Sequence, residues 1–256
     1  MKILLTNDDG IYSEGIQVLK KQLEKIAEVI IIAPDRERST IGHAMTLRKP
    51  LRINEVNING DSLGYSIDGT PVDCIIMGLL EIMKNSKPDM VVSGINRGPN
   101  LGDDIIYSGT VSAAIEGAMR NVPSIAVSIV AYENFKFKSA ALITENIVSH
   151  LMKDSLPSNL ILNINVPNID YDKIEGIAVT RHGKRVYQDK IKKIYDPQGT
   201  THYWLGGDLP EGKIEPDTDF EAIYHHKVSI TPLSLDLTNY HNMPEVKDWV
   251  KKWYLK

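Results

Sequence analysis

Four oxygen-bearing side chains stand where the sequence stops reading as buried strand. Asp8 and Asp9 follow the apolar run 2–6, Ser39 lies in the charged loop 35–43 after the run 29–33, and Asn96 lies in the loop after Met90, Val91 and Val92. Ligands of open parallel sheets bind outside the carboxyl ends of the strands, where the strand order reverses, so these three loops are expected to converge. Two adjacent carboxylates without an obvious basic neighbour repel one another. A hard divalent cation removes that repulsion and also accepts hydroxyl and amide oxygens. Asp8, Asp9, Ser39 and Asn96 are therefore read as one Mg²⁺ or Mn²⁺ site per chain, with positions left for water and substrate. Asp-Asp-Gly is also a common turn, and Ser39 and Asn96 are ordinary loop residues. What favours the ion is that three separate loops supply oxygen donors together. Asp35, Asp103 and Asp104 read as loop caps, and among the histidines only the adjacent pair His225 and His226 is worth following as a zinc candidate.

Beside these donors, stretch 89–117 passes from a strand through a polar, glycine-rich loop into a helix that opens at Ser108, Gly109 and Thr110. Backbone N–H groups and the positive end of the helix dipole at such a junction suit an anion such as phosphate. The expected division of labour puts the ion on one phosphate oxygen and the amides of Ser108, Gly109 and Thr110 on another, with Asn96 serving both ion and phosphate. The nucleophile is then a water activated by the ion, oriented or deprotonated by Asp8 or Asp9. Direct attack by an aspartate is the less favoured route, because metal-bound carboxylates are poor nucleophiles.

The elements that must position these groups follow from hydrophobic periodicity. Runs 2–6 and 29–33 read as buried strands around a helix that Ser13 can cap, with Ile16, Leu19, Leu23 and Ile26 at helical spacing. This is a β-α-β unit, whose strands should be parallel. Residues 46–67 suggest one or two strands with a turn near Asn59, Gly60 and Asp61. Thr70-Pro71 starts a helix running to about Lys84. Strands 124–130 and 160–166 flank a helix over 136–153. The alternation predicts an α/β fold, a Rossmann-like, mostly parallel sheet with helices on both faces. Residues 176–208 read instead as a polar β-hairpin extension with little core of its own, in which Tyr187, Tyr195, Tyr203 and Trp204 wall the entrance or carry a subunit contact. A late strand spans 228–235, and a closing helix over 244–255 should bury Val246, Trp249, Val250 and Trp253. The whole chain, 1–256, reads as one domain, with about 170–240 forming the extension and oligomerisation arm.

The motifs LLTNDDG (4–10), APDRERS (33–39), GTPVDC (69–74), PDMVVSGINRGPNLGDDIIYSGTVSAAIEG (88–117) and PDTDFEAIYHHKVSITPL (216–233) together resemble the SurE survival-protein family of divalent-metal-dependent nucleoside monophosphate phosphatases. The resemblance implies metal ligation by Asp8, Asp9, Ser39 and Asn96, and hydrolysis of 5′- and also 3′-nucleotides, with polyphosphate as a further candidate substrate. It also implies homodimers or homotetramers that exchange C-terminal segments. Thr40 departs from the pattern, since the family often has Gly after the serine.

Bulk properties fit this picture. A net charge of −4 over 256 residues shows no basic surplus for duplex nucleic acid or an anionic membrane. The single cysteine, Cys74, reads as a small buried residue and precludes an intrachain disulfide. No apolar run reaches the length of a membrane span, and the N-terminus lacks a signal-peptide layout, so a cytoplasmic protein is expected. Two other functions compete. A Mg²⁺-binding phosphoreceiver-type signalling domain also carries an acidic pair after its first strand, but it needs an acceptor Asp where this chain has Ser93 and Gly94. A non-catalytic nucleotide-binding module needs phosphate-binding glycines after its first strand, where this chain has two carboxylates.

Overall fold

The computed structural model describes residues 1–58, 62–186, 189–207 and 211–254. Its first half is an alternation of strands and helices: β1 (Lys2–Thr6), α1 (Glu14–Leu23), β2 (Glu28–Pro34), β3 (Ile53–Ile58), β4 (Ser62–Ile67), α2 (Pro71–Met77), β5 (Met90–Arg97), α3 (Gly109–Met119), β6 (Ser124–Val130), α4 (Phe137–Leu151) and β7 (Ile161–Pro167). The second half adds β8 (Ile177–Val179), β9 (Arg185–Val186), β10 (Asp189–Tyr195), β11 (Thr201–Gly207), β12 (Glu211–Gly212), α5 (Asp219–Tyr224), β13 (Val228–Pro232) and α6 (Met243–Tyr254).

Among the described residues the main sheet has nine strands in the order β3-β4-β2-β1-β5-β6-β7-β13-β8. From β4 to β7 every neighbouring pair is parallel. The antiparallel pairs β3 with β4 and β7 with β13 lie outside that stretch. The continuous apolar runs have a direct cause: both faces of the sheet are covered. Ile3, Leu5 and Ile31 point to a layer made by Ile16 and Leu19 of α1 and Ala140 and Ile147 of α4. Leu4 and Ile32, one residue out of phase, point to the other layer with Ile75 of α2 and Ala113 of α3. Cys74 is buried in that second layer, and desolvation raises its thiol well above the usual range.

Several expectations need correction. Ser13 occupies the N-cap position of α1, but its hydroxyl accepts from Asn7 Nδ2 at 2.7 Å instead of capping the helix. The helix from Pro71 keeps α geometry only to Met77 and then widens into a π-type turn, Gly78–Ile82. The turn expected at Asn59, Gly60 and Asp61 and the side chain of Tyr187 lie outside the described residues. The hairpin extension is present but starts later than residue 176, because β8 joins the main sheet beside β13, while β9 with β12 and β10 with β11 form successive antiparallel pairs of the arm. Strands β10 and β11 make its outer part, Tyr195 opposite Thr201, carrying exposed Tyr203 and Trp204. Helix α5 was not anticipated. Helix α6 has no buried residue: Val246, Trp249 and Val250 are 44–45 % exposed and Trp253 is 70 % exposed, against the expectation that this face packs on the chain's own core.

Candidate active site

The sheet order reverses between β1 and β5, because the chain leaves β1 toward β2 on one side and leaves β5 toward β6 on the other. Their carboxyl ends therefore border an open crevice. The turn after β1 is fixed by Asn7, whose Nδ2 donates to the Gly10 carbonyl at 3.1 Å. Asp8 then points down against α3, and the residue is only 4 % exposed. It accepts a short hydrogen bond from the Thr110 hydroxyl. A Cβ on Gly109 would lie 2.9 Å from Asp8 Cβ and 3.0 Å from its Oδ2, so only glycine lets the helix end come this close. Burial pushes the Asp8 carboxyl up to about 6, against the hydrogen bonds from Thr110, and the neighbouring Asp9 charge pushes the same way.

Asp9 has a different setting. Both of its oxygens accept from Arg97, Oδ1 from Nε at 3.0 Å and Oδ2 from the backbone N–H at 3.2 Å. Burial still raises its carboxyl above the ordinary value, against the Arg97 hydrogen bond and charge. Arg97 reaches on to Glu37 at 3.2 Å, and the other Glu37 oxygen accepts from the Ser39 hydroxyl at 2.7 Å. The acidic pair thus does have a basic neighbour. Its signal was the residue immediately after Asn96, but its reach to Asp9 depends on β1 and β5 being adjacent.

Asn96 is not in a loop. Strand β5 continues through it after a register shift against β6 between Ser93 and Asn96. Its Nδ2 donates to the Gly98 carbonyl at 3.0 Å, which leaves Oδ1 as the side chain's acceptor. The glycine-rich loop beyond is anchored by buried Asn100, whose N–H donates to Asn165 Oδ1 at 2.9 Å and whose Nδ2 donates to Ser128 Oγ at 2.7 Å. Thr40 has a φ of 53°, a left-handed conformation that favours the glycine its position often holds in the resembling family.

Asp8, Ser39, Asn96 and Ser108 line one crevice of about 600 Å³. Asp9 lines the adjoining depression, and Arg97 borders both. The three residues at the opening of α3 do not present equivalent amides. Ser108 N–H donates to the Ile105 carbonyl at 3.3 Å while its hydroxyl accepts from Val111 N–H at 3.0 Å. Thr110 donates its side-chain hydroxyl to Asp8. Gly109 N–H has no acceptor among the described residues. The lesser candidates are engaged elsewhere: Asp104 lines the crevice but pairs with Arg185, Asp35 lines the depression of Asp9 and pairs with Arg38 at 3.1 Å, and Asp103 is exposed. His225 and His226 close α5, and among the described residues no group of three or more His, Cys, Asp or Glu is placed to hold a metal. Arg185 and Tyr132, which also border the crevice, carried no sequence signal.

Residues 3–189 match the family model described as Survival protein SurE. This chain belongs to the SurE family. Among its curated relatives, the 5′-nucleotidase SurE of Carboxydothermus hydrogenoformans is 44 % identical over 98 % of this chain and 97 % of its own length. The 5′-nucleotidase SurE of Vibrio vulnificus is 46 % identical over 98 % and 96 %. The crystal structure of the SurE protein from Aquifex aeolicus superimposes with a TM-score of 0.86 at 42 % identity, covering 98 % of this chain and 100 % of that one. The mostly parallel α/β architecture is thus that of the SurE fold, and the family implies a divalent-metal requirement. In this member the buried Asp8 and the Arg97-bound Asp9 sit at its topological switch point.

Proposed function

We propose that this SurE chain is a phosphomonoesterase that hydrolyses nucleoside 5′-monophosphates to nucleoside and phosphate, with Asp8, Asp9, Ser39 and Asn96 as ligands of one Mg²⁺ or Mn²⁺. The observation that carries the proposal is the buried Asp8 carboxylate held against the N-terminus of α3 at the crevice between β1 and β5. The donors are hard oxygens, the type both cations take, and burial leaves Asp8 short of countercharge, so the residues fit such an ion. Asp9 and Ser39 already have protein partners, Arg97 and Glu37, that hold them near the crevice. The chemistry a divalent ion supplies in this setting is charge neutralisation on the phosphoryl group and a lowered pKa for water.

The chain's own groups do the rest. Gly109 N–H and the dipole of the eleven-residue α3 receive a phosphate oxygen. Asp8 or Asp9 orients the attacking water and takes its proton. Water attacks phosphorus, the ester P–O bond breaks, and the nucleoside leaves as its alcohol. Direct attack by Asp9 is disfavoured because both of its oxygens are engaged by Arg97. The same phosphoryl site serves 3′-monophosphates. Polyphosphate hydrolysis would use the same donors. The receiver reading lacks support, since β5 ends in Arg97 and not in an acceptor Asp, and the relatives' names favour an enzyme over a binding module.

The apolar face of α6, open in the single chain, supports packing on a second copy, in a homodimer or homotetramer with exchanged C-terminal segments. No helix among the described residues is long and apolar enough to cross a membrane, and a cytoplasmic site of action is part of this proposal. The test is phosphate release from a nucleoside monophosphate with Mg²⁺ or Mn²⁺ and with excess chelator. Release with the cation and none with chelator is expected. Bound nucleotide without release, or release indifferent to chelator, would overturn the proposal.

A further inference from the structure

Besides Arg97 the crevice has a second cation, at the end away from Asp8. Arg185 of β9 has a side chain only 4 % exposed that nonetheless borders the crevice. It is ion-paired with Asp104, on the turn that leads into α3, and its Nη2 donates to the Tyr132 hydroxyl at 3.0 Å. Its buried Nε finds no hydrogen-bond acceptor among the described residues. A buried, unsatisfied donor on a charged group is expensive, and such groups in native proteins usually have a reason.

Its placement is built, not incidental. The backbone N–H of Gly183, two residues before Arg185, donates to Asp219 Oδ1 at 2.8 Å. The N–H of Gly102, two residues before Asp104, donates to Oδ2 of the same fully buried carboxylate at 2.8 Å. Asp219 thus clamps the strand bearing Arg185 to the turn bearing its partner. A guanidinium held in this way keeps its planar fork in one orientation.

The sheet sets the distance to the phosphoryl end. Asp8 follows β1, and Tyr132 follows β6, two strands away across β5. At roughly 4.8 Å per strand spacing the two ends of the crevice are about 10 Å apart. One phosphate group does not span that separation, whereas a nucleoside monophosphate does. We infer that Arg185, oriented by Asp104 and Tyr132, is a specificity-determining residue that donates one hydrogen bond, from Nη2, to an acceptor on the substrate's base while the phosphate sits at Asp8. The inference rests on the proposed phosphomonoesterase activity and adds the part of the substrate that distinguishes a nucleotide from any other phosphate ester.

The test compares kcat/KM for a nucleoside 5′-monophosphate with that for p-nitrophenyl phosphate, which has no base, in the cation-loaded full chain and its Arg185→Ala and Arg185→Lys variants. Loss of one charged hydrogen bond predicts that the nucleotide-to-nitrophenyl ratio falls about 10- to 100-fold in Arg185→Ala, carried by KM and not by kcat. Arg185→Lys keeps a cation for Asp104 but lacks the fork, so a several-fold fall is expected there, and it decides the matter should the Ala variant fail to fold. An unchanged ratio in the folded variants, or equal loss on both substrates, would overturn the inference while leaving the phosphatase intact. Native protein that cleaves neither substrate would remove the phosphatase reading, and this inference with it.

Discussion

Asp8 should weaken the metal-free protein. Its carboxyl, raised from 3.8 to about 6 by burial, is harder to ionise folded than unfolded. Below the unfolded value both states are protonated and nothing is lost. As pH rises from about 4 the unfolded chain ionises first, and stability falls until the folded carboxyl also ionises near pH 6. The full displacement corresponds to about 3 kcal/mol. Asp8→Asn removes the titration but exchanges a carboxylate acceptor of the Thr110 hydroxyl for a weaker neutral amide, so a net gain of about 2 kcal/mol is expected. For a chain of this size that raises Tm by roughly 4–8 °C. The assay is thermal unfolding of both proteins in chelator at pH 7.5 and at pH 4.5. The variant should be the more stable at pH 7.5, with the gain vanishing at pH 4.5, and added Mg²⁺ or Mn²⁺ should stabilise the native chain more than the variant. A variant less stable at pH 7.5, or equally favoured at both pH values, would refute the assignment of a desolvated carboxylate at this position.

Two further outcomes are expected. Gly109→Ala would place a methyl within 3.0 Å of Asp8, so kcat/KM should fall by on the order of 100-fold with Tm shifted by only a few degrees; near-native turnover would show that Asp8 can move without consequence. Trp249→Asp together with Trp253→Asp, on the open face of α6, should shift the mass measured by light scattering toward a single chain, and an unchanged mass would exclude this face from the assembly.

What was legible in the sequence is what depends on local pattern. The strands at 2–6 and 29–33 announced themselves because a doubly covered sheet needs apolar residues on both faces, and Thr70-Pro71 announced α2 because capping chemistry is local. Asp8, Asp9, Ser39 and Asn96 stood out because strand ends in such a sheet share one rim. Arg97 was overlooked, since its contact with Asp9 exists only once β1 and β5 pair. Helix α5 is a mere six residues, too short for a periodicity to declare itself. The α6 stripe was seen correctly as apolar and wrongly assigned to the chain's own core, because periodicity says that a face is to be covered and not by what.

The two ends of the crevice are made of different material, and this has a consequence for how such a protein can change. Asp8, Asp9 and Asn96 hang from the central strands β1 and β5, whose apolar residues are fully or almost fully buried, so a shift there disturbs the core of both layers. Arg185 comes from a two-residue strand in the arm, fixed chiefly through Asp219 and Asp104. Substitutions in the arm can therefore alter which ester is favoured at little cost to the sheet, whereas substitutions at the switch point affect every ester alike. On the roles proposed for Asp8 and Arg185, discrimination and hydrolysis are separable in one crevice, and the ratio of two substrates, not the rate on either, is the quantity that reports on the arm.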